Sequence, residues 1–556
     1  MLIGQLIQVL GIVAIAVWAV AASAGRSPLI VRCARLTGRC ARKPFIAMAL
    51  CATVAAIAVI VPCCLRPPVP AIHDEFSYLL AGDTFAHGRL ANPVHPMWRH
   101  FESFHILQQP SYASKYQPLQ GFFLALGSLI DGRPIVGVWI ATSLAAVSSC
   151  WMLRGFAPPR WALLGGLIVA VHPTIASVWG YGYWGGAAPM TGGALVLGAA
   201  ARLTKRPRVR DTLALISGVA MLANGRPFEG LIVSLVVGGW LLAAIIRQRT
   251  TNLRAWLQQF VLPGSVGLAL MAGGMAYYNQ CVTGDWFRLP YQVHEAQYNI
   301  SPIFVWQQPR PEPEYRHRVM REFYVQNTRE WHHAQQTFAG FASQRARMWL
   351  HSWSFLLGLA LSIPLASAAC VFRRRSVRIA GSIVAAVLLA TLGVTWFLPH
   401  YLSPIMPAFI LLIIEGLRVL HAWRSRGRHI GHRLAVGVVL VFFGFATLRY
   451  ATHVASAASS QVDSRSPTAW AWQRDKITAG LLATPGSHLV VVRYANDHDP
   501  NQEWVYNAAD IDASRIVWAR EMSGRENGEL LEYFAERTPW LLEADTRPPR
   551  LLKIPR

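Results

Sequence analysis

Two adjacent carboxylates, Asp74 and Glu75, are the side chains of this sequence that most directly suggest chemistry. They come shortly after the apolar run 44–64, in a segment that could begin a helix. A carboxylate there can take a proton from an attacking hydroxyl group, or hold a divalent cation beside a phosphate. Acidic residues are also favoured in the first turn of a helix because they interact well with the helix dipole. The pair alone leaves a catalytic and a structural interpretation open.

Four further side chains near the ends of other apolar runs could bind an anionic group: Lys115, Arg226, His400 and Tyr401. A reaction that releases an anion needs such groups, because stabilising the charge that develops in the transition state is usually the largest catalytic contribution. Each also has a structural interpretation as an anchor at a membrane interface, where lysines snorkel and tyrosines are common.

Aromatic residues flanked by glycines form a third feature, at 179–186, with Tyr183 and Trp184 in its middle. Such rings can stack on sugars, and they also form the aromatic belt of membrane proteins at the lipid surface. The pattern is compatible with both roles, and the belt is the commoner one.

The composition indicates the kind of fold that must position these residues. Of the 556 residues, 53% are hydrophobic and 14% are charged. Soluble proteins carry about 25% charged residues. Long apolar runs alternate with short basic clusters, which is typical of a protein with many membrane-spanning helices. The net charge of +24 lies mostly in these short loops rather than on one soluble face, so nucleic acid is not expected as a partner.

The basic loops predict the orientation of the chain, since positively charged loops stay in the cytoplasm. With the basic loops in the cytoplasm, one of the apolar runs between residues 118 and 202 cannot cross the membrane. The shortest of these runs, 118–130, is predicted to dip into the outer leaflet instead. About twelve spans remain. They are 2–24, 44–64, 134–153, 161–179, 186–201, 211–223, 228–246, 257–278, 350–371, 379–397, 404–420 and 434–452.

The chain is therefore predicted to have three parts. Residues 1–43 form an extra N-terminal span and a basic cytoplasmic loop. Residues 44–452 form an all-α membrane part with two long outer loops, 65–133 and 279–349, the second an irregular cap over the site. Residues 453–556 form a small soluble α/β module on the outer face, because their apolar pattern changes to that of short strands and one amphipathic helix. The eight cysteines show neither a metal-binding nor a disulfide spacing.

Segment 72–127 resembles the first periplasmic loop of the GT-C superfamily of membrane glycosyltransferases. The similar branch contains the protein O-mannosyltransferases and the aminoarabinose transferase of lipid A. The residues that carry the resemblance are Asp74-Glu75, Tyr78, Ala81, Gly88-Arg89-Leu90 and 115–119. Two positions depart from the family pattern: its Pro-Pro is Gln117-Pro118 here, and the arginine of its Arg-Tyr pair is His400.

The resemblance implies a transferase that moves a sugar from a polyprenyl-phosphate donor on the outer face of the bacterial inner membrane. It implies that Asp74 is the general base or the contact of a divalent cation such as Mg or Mn, with Glu75 beside it. The residues expected to contact the donor phosphate are Lys115, Arg226, His400 and Tyr401. The residues expected to contact other parts of the substrates are Tyr78, Arg89, Tyr183 and Trp184. The acceptor stays open among glycans, lipids and proteins.

Two other functions fit a membrane protein of this composition. A transporter or flippase of a lipid-linked glycan would place charged residues inside the spans and would show inverted repeats. The sequence has few charges inside its apolar runs and no internal repeat, so this alternative is weaker. A non-catalytic assembly protein, with the C-terminal module as its binding part, is the third interpretation.

Overall fold

The computed structural model describes residues 10, 11, 14, 37–247, 253–425, 429–459 and 466–555. Most of these residues are helical, and a small sheet lies near the C-terminus, in agreement with the predicted fold class. The first predicted span, 2–24, falls almost entirely outside the described residues and stays a prediction.

Helices occupy most of the length of the predicted spans within the described residues, because apolar runs of about 20 residues are suited to form helices that cross a membrane. The main ones are Pro44–Leu65, Ile135–Leu153, Pro159–Ala170, Ala187–Leu203, Val209–Ala223, Pro227–Arg247, Leu253–Thr283, Arg375–Thr391, Met406–Ala422 and Ile430–Ala458. Over the described part of the chain, six helices are long and apolar enough to cross a membrane, or seven if one bent pair counts as a single span. The number of twelve is therefore not confirmed.

Two predicted spans are interrupted. The span predicted over 161–179 ends as an α-helix at Ala170, and a single π-helical turn, Ile175–Trp179, follows it. The span predicted over 350–371 is broken between Phe338–Leu356 and the next helical stretch, which are bent by 96°. Gly358 stands at this break with a φ of 62°, a left-handed conformation that glycine adopts without steric cost.

Short helices cover the face of the molecule that carries Asp74. The helix His73–Ala86, which we call the acidic helix, packs against Leu119–Asp131, the 13-residue helix predicted at 118–130. The prediction of an irregular cap over 279–349 is partly wrong, because several helices form there. They are Pro290–Tyr298, Arg318–Arg321, Asn327–His333 and Phe338–Leu356.

The C-terminal module contains the predicted strands and helix. Its four-stranded sheet has the spatial order Ile516–Arg520, His488–Arg493, Thr538–Glu543 and Arg550–Lys553. The first three strands are parallel and the last is antiparallel. Helices Ala469–Ala483 and Gly524–Tyr533 complete it.

The module and the acidic helix share a hydrophobic core. Phe76 and Leu80 of the acidic helix are buried in the same cluster as Trp470, Val490 and Tyr506 of the module. The rings of Phe76 and Tyr506 are parallel, with centroids 3.9 Å apart. The module therefore supports the helix on which the candidate residues lie.

Candidate active site

The first turn of the acidic helix is capped by one of its own side chains, that of Glu75. Glu75 Oε2 accepts hydrogen bonds from the backbone N–H groups of Ala71 (2.9 Å) and Ile72 (3.2 Å). Its other oxygen accepts one from the N–H of Tyr183 at 2.9 Å, so that Glu75 joins the helix start to the aromatic stretch 179–186. Burial raises the pKa of Glu75, and these three backbone donors oppose that effect. Glu75 is buried, and both of its carboxylate oxygens accept hydrogen bonds from the protein backbone, which suits a positioning role.

Asp74 has different surroundings. Its Oδ1 accepts a hydrogen bond from the hydroxyl of Tyr116, and His105 Nε2 lies 3.6 Å from the same oxygen. Its Oδ2 has no hydrogen-bond partner within the described part of the chain, and the side chain is 21% exposed. Asp74 therefore keeps one oxygen available for a ligand, whereas Glu75 does not.

A pair of stacked tyrosines, Tyr78 and Tyr116, lies beside Asp74. Tyr78 follows Asp74 by one helical turn, and its ring stacks on that of Tyr116 with centroids 4.6 Å apart. Burial raises the pKa of Tyr116, and the neighbouring charge of Asp74 raises it further. The Tyr116 hydroxyl consequently keeps its proton and acts as a donor to Asp74.

Arg226 brings a fixed positive charge to the same place. Its guanidinium lies 4.3 Å from the ring centroid of Tyr401. Burial lowers the pKa of Arg226, but the neighbouring Tyr78, Tyr401 and Glu229 outweigh this effect and raise it. Arg226 therefore remains charged although it is partly buried, as a group that binds an anion must.

Lys115 supplies a second cation. It is 5% exposed, and its Nζ lies 3.5 Å from Glu295 Oε1. The same ammonium faces the rings of Tyr116 (5.4 Å) and Tyr291 (5.2 Å). Burial raises the pKa of Glu295, but Lys115 outweighs this and lowers it. Lys115 and Glu295 thus form a buried ion pair, consistent with the rule that buried charges are paired.

His400 and Trp184 close another side of this site. His400 is 5% exposed and belongs to the turn Pro399–Ile405, which opens the helix that follows. Its ring lies 4.8 Å from that of Trp184 and 4.8 Å from that of Tyr401. Trp184 lines a small pocket together with Tyr78 and Arg226. The structure therefore brings seven predicted residues together, which we call the central cluster: Asp74, Tyr78, Lys115, Trp184, Arg226, His400 and Tyr401.

Two predicted substrate contacts lie apart from the central cluster. Arg89 follows the far end of the acidic helix, and at 1.5 Å per residue its backbone is roughly 20 Å from Asp74. The side chain of Tyr183 points to another loop, since its hydroxyl donates to the carbonyl of Pro68 at 3.2 Å. The backbone N–H of Tyr183 nevertheless donates a hydrogen bond to Glu75. Direct contact of these two side chains with a substrate stays a prediction that the geometry does not support.

His105 is the residue that the sequence interpretation missed. It is the one non-glycine residue with positive φ (62°) in the described part of the chain. Its carbonyl accepts a hydrogen bond from Ser77 Oγ at 2.6 Å, and its Nδ1 is buried without a partner. Residues held in this conformation store strain, which is common at functional sites. Burial lowers the pKa of His105, with Lys115 adding to the effect, so the imidazole beside Asp74 is neutral.

The described residues do not form a ready metal site. Among them, no group of three or more His, Cys, Asp and Glu side chains is placed to hold a metal ion. Asp74 therefore lacks the set of protein oxygen ligands that a resident Mg or Ca ion usually has. The predicted divalent cation remains untested, and no step of the reaction below depends on it.

The arrangement of these charged groups favours one type of reaction. One oxygen of Asp74 is free to accept a proton from a hydroxyl group. Arg226 and Lys115 are linked to it through the stacked rings of Tyr78 and Tyr116, and they can stabilise an anion. A proton acceptor beside two cations is suited to a transfer in which a hydroxyl attacks and a phosphate leaves.

Comparison with known proteins finds similarity to solved structures, at the level of the fold. No protein-family model matches the chain, and no curated protein is significantly similar to it. ArnT from Cupriavidus metallidurans, in a structure with bound undecaprenyl phosphate, superposes with a TM-score of 0.52 over 90% of this chain and 92% of its own. The two sequences are 12% identical. The chain therefore shares the overall fold of this ArnT.

This finding confirms, at the level of the fold, the resemblance predicted from segment 72–127. The apo structure of the same ArnT gives a TM-score of 0.48 at 13% identity, covering 88% of this chain and 92% of that one. The oligosaccharyltransferase of Archaeoglobus fulgidus gives 0.46 at 11% identity, covering 88% and 68%.

Proposed function

We propose that this protein is a glycosyltransferase that moves a sugar from a polyprenyl-phosphate donor to an acceptor at the outer face of the bacterial inner membrane. The observation that carries the proposal is the central cluster, where a carboxylate with one free oxygen lies beside two cations. The likeness to ArnT, crystallised with undecaprenyl phosphate, supports the class of donor. The orientation, the twelve spans and the three-part division of the chain belong to the same proposal.

In the proposed reaction, Asp74 acts on the acceptor. A hydroxyl of the acceptor places its proton on Oδ2 of Asp74 as its oxygen attacks the anomeric carbon of the sugar. The bond between that carbon and the phosphate oxygen breaks, and the electron pair stays with the polyprenyl phosphate. General base catalysis of this kind contributes about 10²–10⁴-fold to a rate. Tyr116 and His105 hold Asp74 in place while its other oxygen reacts.

The cations act on the leaving group. Arg226 and Lys115 stabilise the negative charge that appears on the phosphate, and the ring of Tyr401 lies against the guanidinium of Arg226. Lys115 is neutralised by Glu295 in the free protein, so an arriving phosphate competes with that carboxylate. His400 stands where related sequences have an arginine. The fixed charge of Arg226, on a neighbouring turn, compensates for the weaker contact of a neutral imidazole.

The test is transfer of a radiolabelled sugar by the purified full-length protein. Polyprenyl-phosphate donors carrying different sugars are offered with glycan, lipid and peptide acceptors. The wild type is expected to form product with one donor and one acceptor class. Asp74→Asn is expected to lower the rate by about 10²-fold or more, since asparagine cannot take the proton.

Asp285→Asn serves as the matched control. Asp285 is an exposed acid of another loop, and it caps its own turn by accepting from the N–H of Phe287. This variant should retain full activity. Transfer that survives unchanged in Asp74→Asn would remove Asp74 from the reaction, and lipid-linked donor accumulating on the inner leaflet of a deletion strain would favour a flippase.

A further inference from the structure

Two adjoining cavities lie away from the central cluster, among the helices that lead to the C-terminal module. The larger has a volume of about 330 Å³ and is lined by polar groups that include His172, Ser177, His351 and Arg449. The smaller, of about 160 Å³, shares Ser177 and Arg449 with it, and its other lining residues are apolar except Thr447 and Tyr450. Together they form one amphipathic recess with a polar end and an apolar end.

The polar end contains a buried nitrogen without a partner and an exposed arginine. His172 is 3% exposed, and its Nε2 donates to the carbonyl of Leu356 at 2.9 Å. Its Nδ1 is therefore a hydrogen-bond acceptor, and it is buried without a partner. The guanidinium of Arg449 makes no hydrogen bond or ion pair with any described residue. Buried polar atoms normally find partners, so the buried Nδ1 of His172 indicates a missing hydroxyl donor. Arg449 is exposed and lines the same cavity, where its guanidinium is placed to bind an anionic group of that ligand.

The position of Arg449 corresponds to the head-group region of a membrane. It lies in the apolar helix Ile430–Ala458, one turn before His453. His453 packs on the ring of Tyr181 at 4.6 Å, and the Tyr181 hydroxyl donates to the carbonyl of Arg66, just beyond the end of another span. Tyrosine, histidine and arginine gathered at helix ends mark the membrane interface. Arg449 is thus one turn deeper, where lipid phosphates meet hydrocarbon.

The apolar end is shaped for a hydrocarbon chain. It is lined by Val54 and Ile57 from one span and by Phe443 and Ala446 from the helix of Arg449. No acidic residue among the described ones lines either cavity. A positive polar end next to an apolar groove is complementary to an anionic lipid, and no described residue is shared with the central cluster.

We propose that this recess binds a phospholipid whose head group carries a phosphate and a hydroxyl. Arg449 binds the phosphate, His172 Nδ1 accepts a hydrogen bond from the head-group hydroxyl, and an acyl chain lies along the apolar groove. This lipid is distinct from the donor in the central cluster, and the proposal does not depend on the transferase function.

Lipid binding to the full-length protein in detergent tests the site. Radiolabelled phosphatidylglycerol is compared with phosphatidylmethanol, which has the same charge but no head-group hydroxyl, and with diacylglycerol, which has no phosphate. The loss of one hydrogen bond to a charged or buried group corresponds to about tenfold in affinity. The expected order is phosphatidylglycerol, then phosphatidylmethanol, then diacylglycerol.

Two variants probe opposite ends of the recess. Arg449→Gln should weaken phosphatidylglycerol binding about tenfold, because a hydrogen-bonded ion pair is lost. Thr447→Trp, at an exposed position of the groove, should block the acyl chain without disturbing a buried side chain. Arg133→Gln, an exposed arginine paired with Asp131, is the control and should bind as the wild type does.

Three results would overturn the proposal. One is equal affinity of the wild type for the three lipids. Another is unchanged phosphatidylglycerol binding in both Arg449→Gln and Thr447→Trp. The third is complete displacement of the lipid by millimolar inorganic phosphate, which would show a free-anion site instead.

Discussion

At the scale of single residues, two adjacent carboxylates have different surroundings. Glu75 is saturated by backbone donors, while Asp74 keeps an oxygen free. The sequence predicts both acids and the two cations, because their types and positions at the ends of apolar runs are visible in it. It does not predict His105, which meets Asp74 only through folding of the loop and is marked by no motif. Arg89 is the opposite case: it belongs to the motif 88–90 that the sequence shows, but it lies beyond the far end of the acidic helix.

His105→Asn tests whether the imidazole positions Asp74. Asparagine tolerates a positive φ better than most residues, so the backbone should be retained. We expect the maximal transfer rate to fall about tenfold, as for loss of one orienting contact, with little change in the KM for the donor. Steady-state kinetics measure the split. His87→Asn, an exposed histidine after the acidic helix, is the control, and a His105 variant with normal kinetics would refute the role.

At the scale of elements, hydropathy predicts where helices form but not where they break. The run 44–64 appears as Pro44–Leu65, almost as predicted. The break before Gly358 is invisible to hydropathy because both sides of it are equally apolar, and it depends on one backbone conformation. The start of the acidic helix likewise depends on a local contact, the cap formed by Glu75, whose other oxygen accepts a hydrogen bond from the distant stretch 179–186.

Glu75→Ala should weaken the start of the acidic helix and its link to stretch 179–186. Three backbone N–H groups lose their acceptor, and each such buried donor costs about 1–3 kcal/mol. We expect a clear drop in the unfolding temperature of the detergent-solubilised protein. Glu75→Gln retains one acceptor oxygen and should have a smaller effect. Equal stability of wild type and Glu75→Ala would show that other contacts hold this helix.

At the scale of the whole molecule, the C-terminal module is part of the support of the site. Arg520 of the module is buried, pairs with Glu503 at 2.5 Å and donates to the backbone carbonyl of Glu102 in the segment that follows the acidic helix. The sequence predicts the module's strands and its helix, because their patterns are local. It does not predict where the module docks, since that depends on contacts such as Phe76 with Tyr506 between distant parts of the chain.

The Glu503–Arg520 pair should make stability depend on pH. Burial raises the pKa of Glu503, but Arg520 outweighs it and the pKa is lowered. The contribution is thus fully present above the unfolded value of about 4.3 and is lost as the pH falls through the lower folded value. Glu503→Gln should destabilise the protein by about 3 kcal/mol at pH 7, because Arg520 is left buried without its charge partner. Thermal unfolding should show this difference shrinking below about pH 4; a constant difference would contradict it.

The central claim is that Asp74 acts on the acceptor hydroxyl while Arg226 holds the donor phosphate. Single-turnover transfer and polyprenyl-phosphate affinity, measured on the same preparations, separate these roles. We predict that Asp74→Asn loses about 10²-fold or more in rate and keeps its affinity for the lipid phosphate, whereas Arg226→Gln loses affinity about tenfold. Unchanged transfer in Asp74→Asn, or a loss of lipid affinity that accounts for its whole defect, would contradict the account.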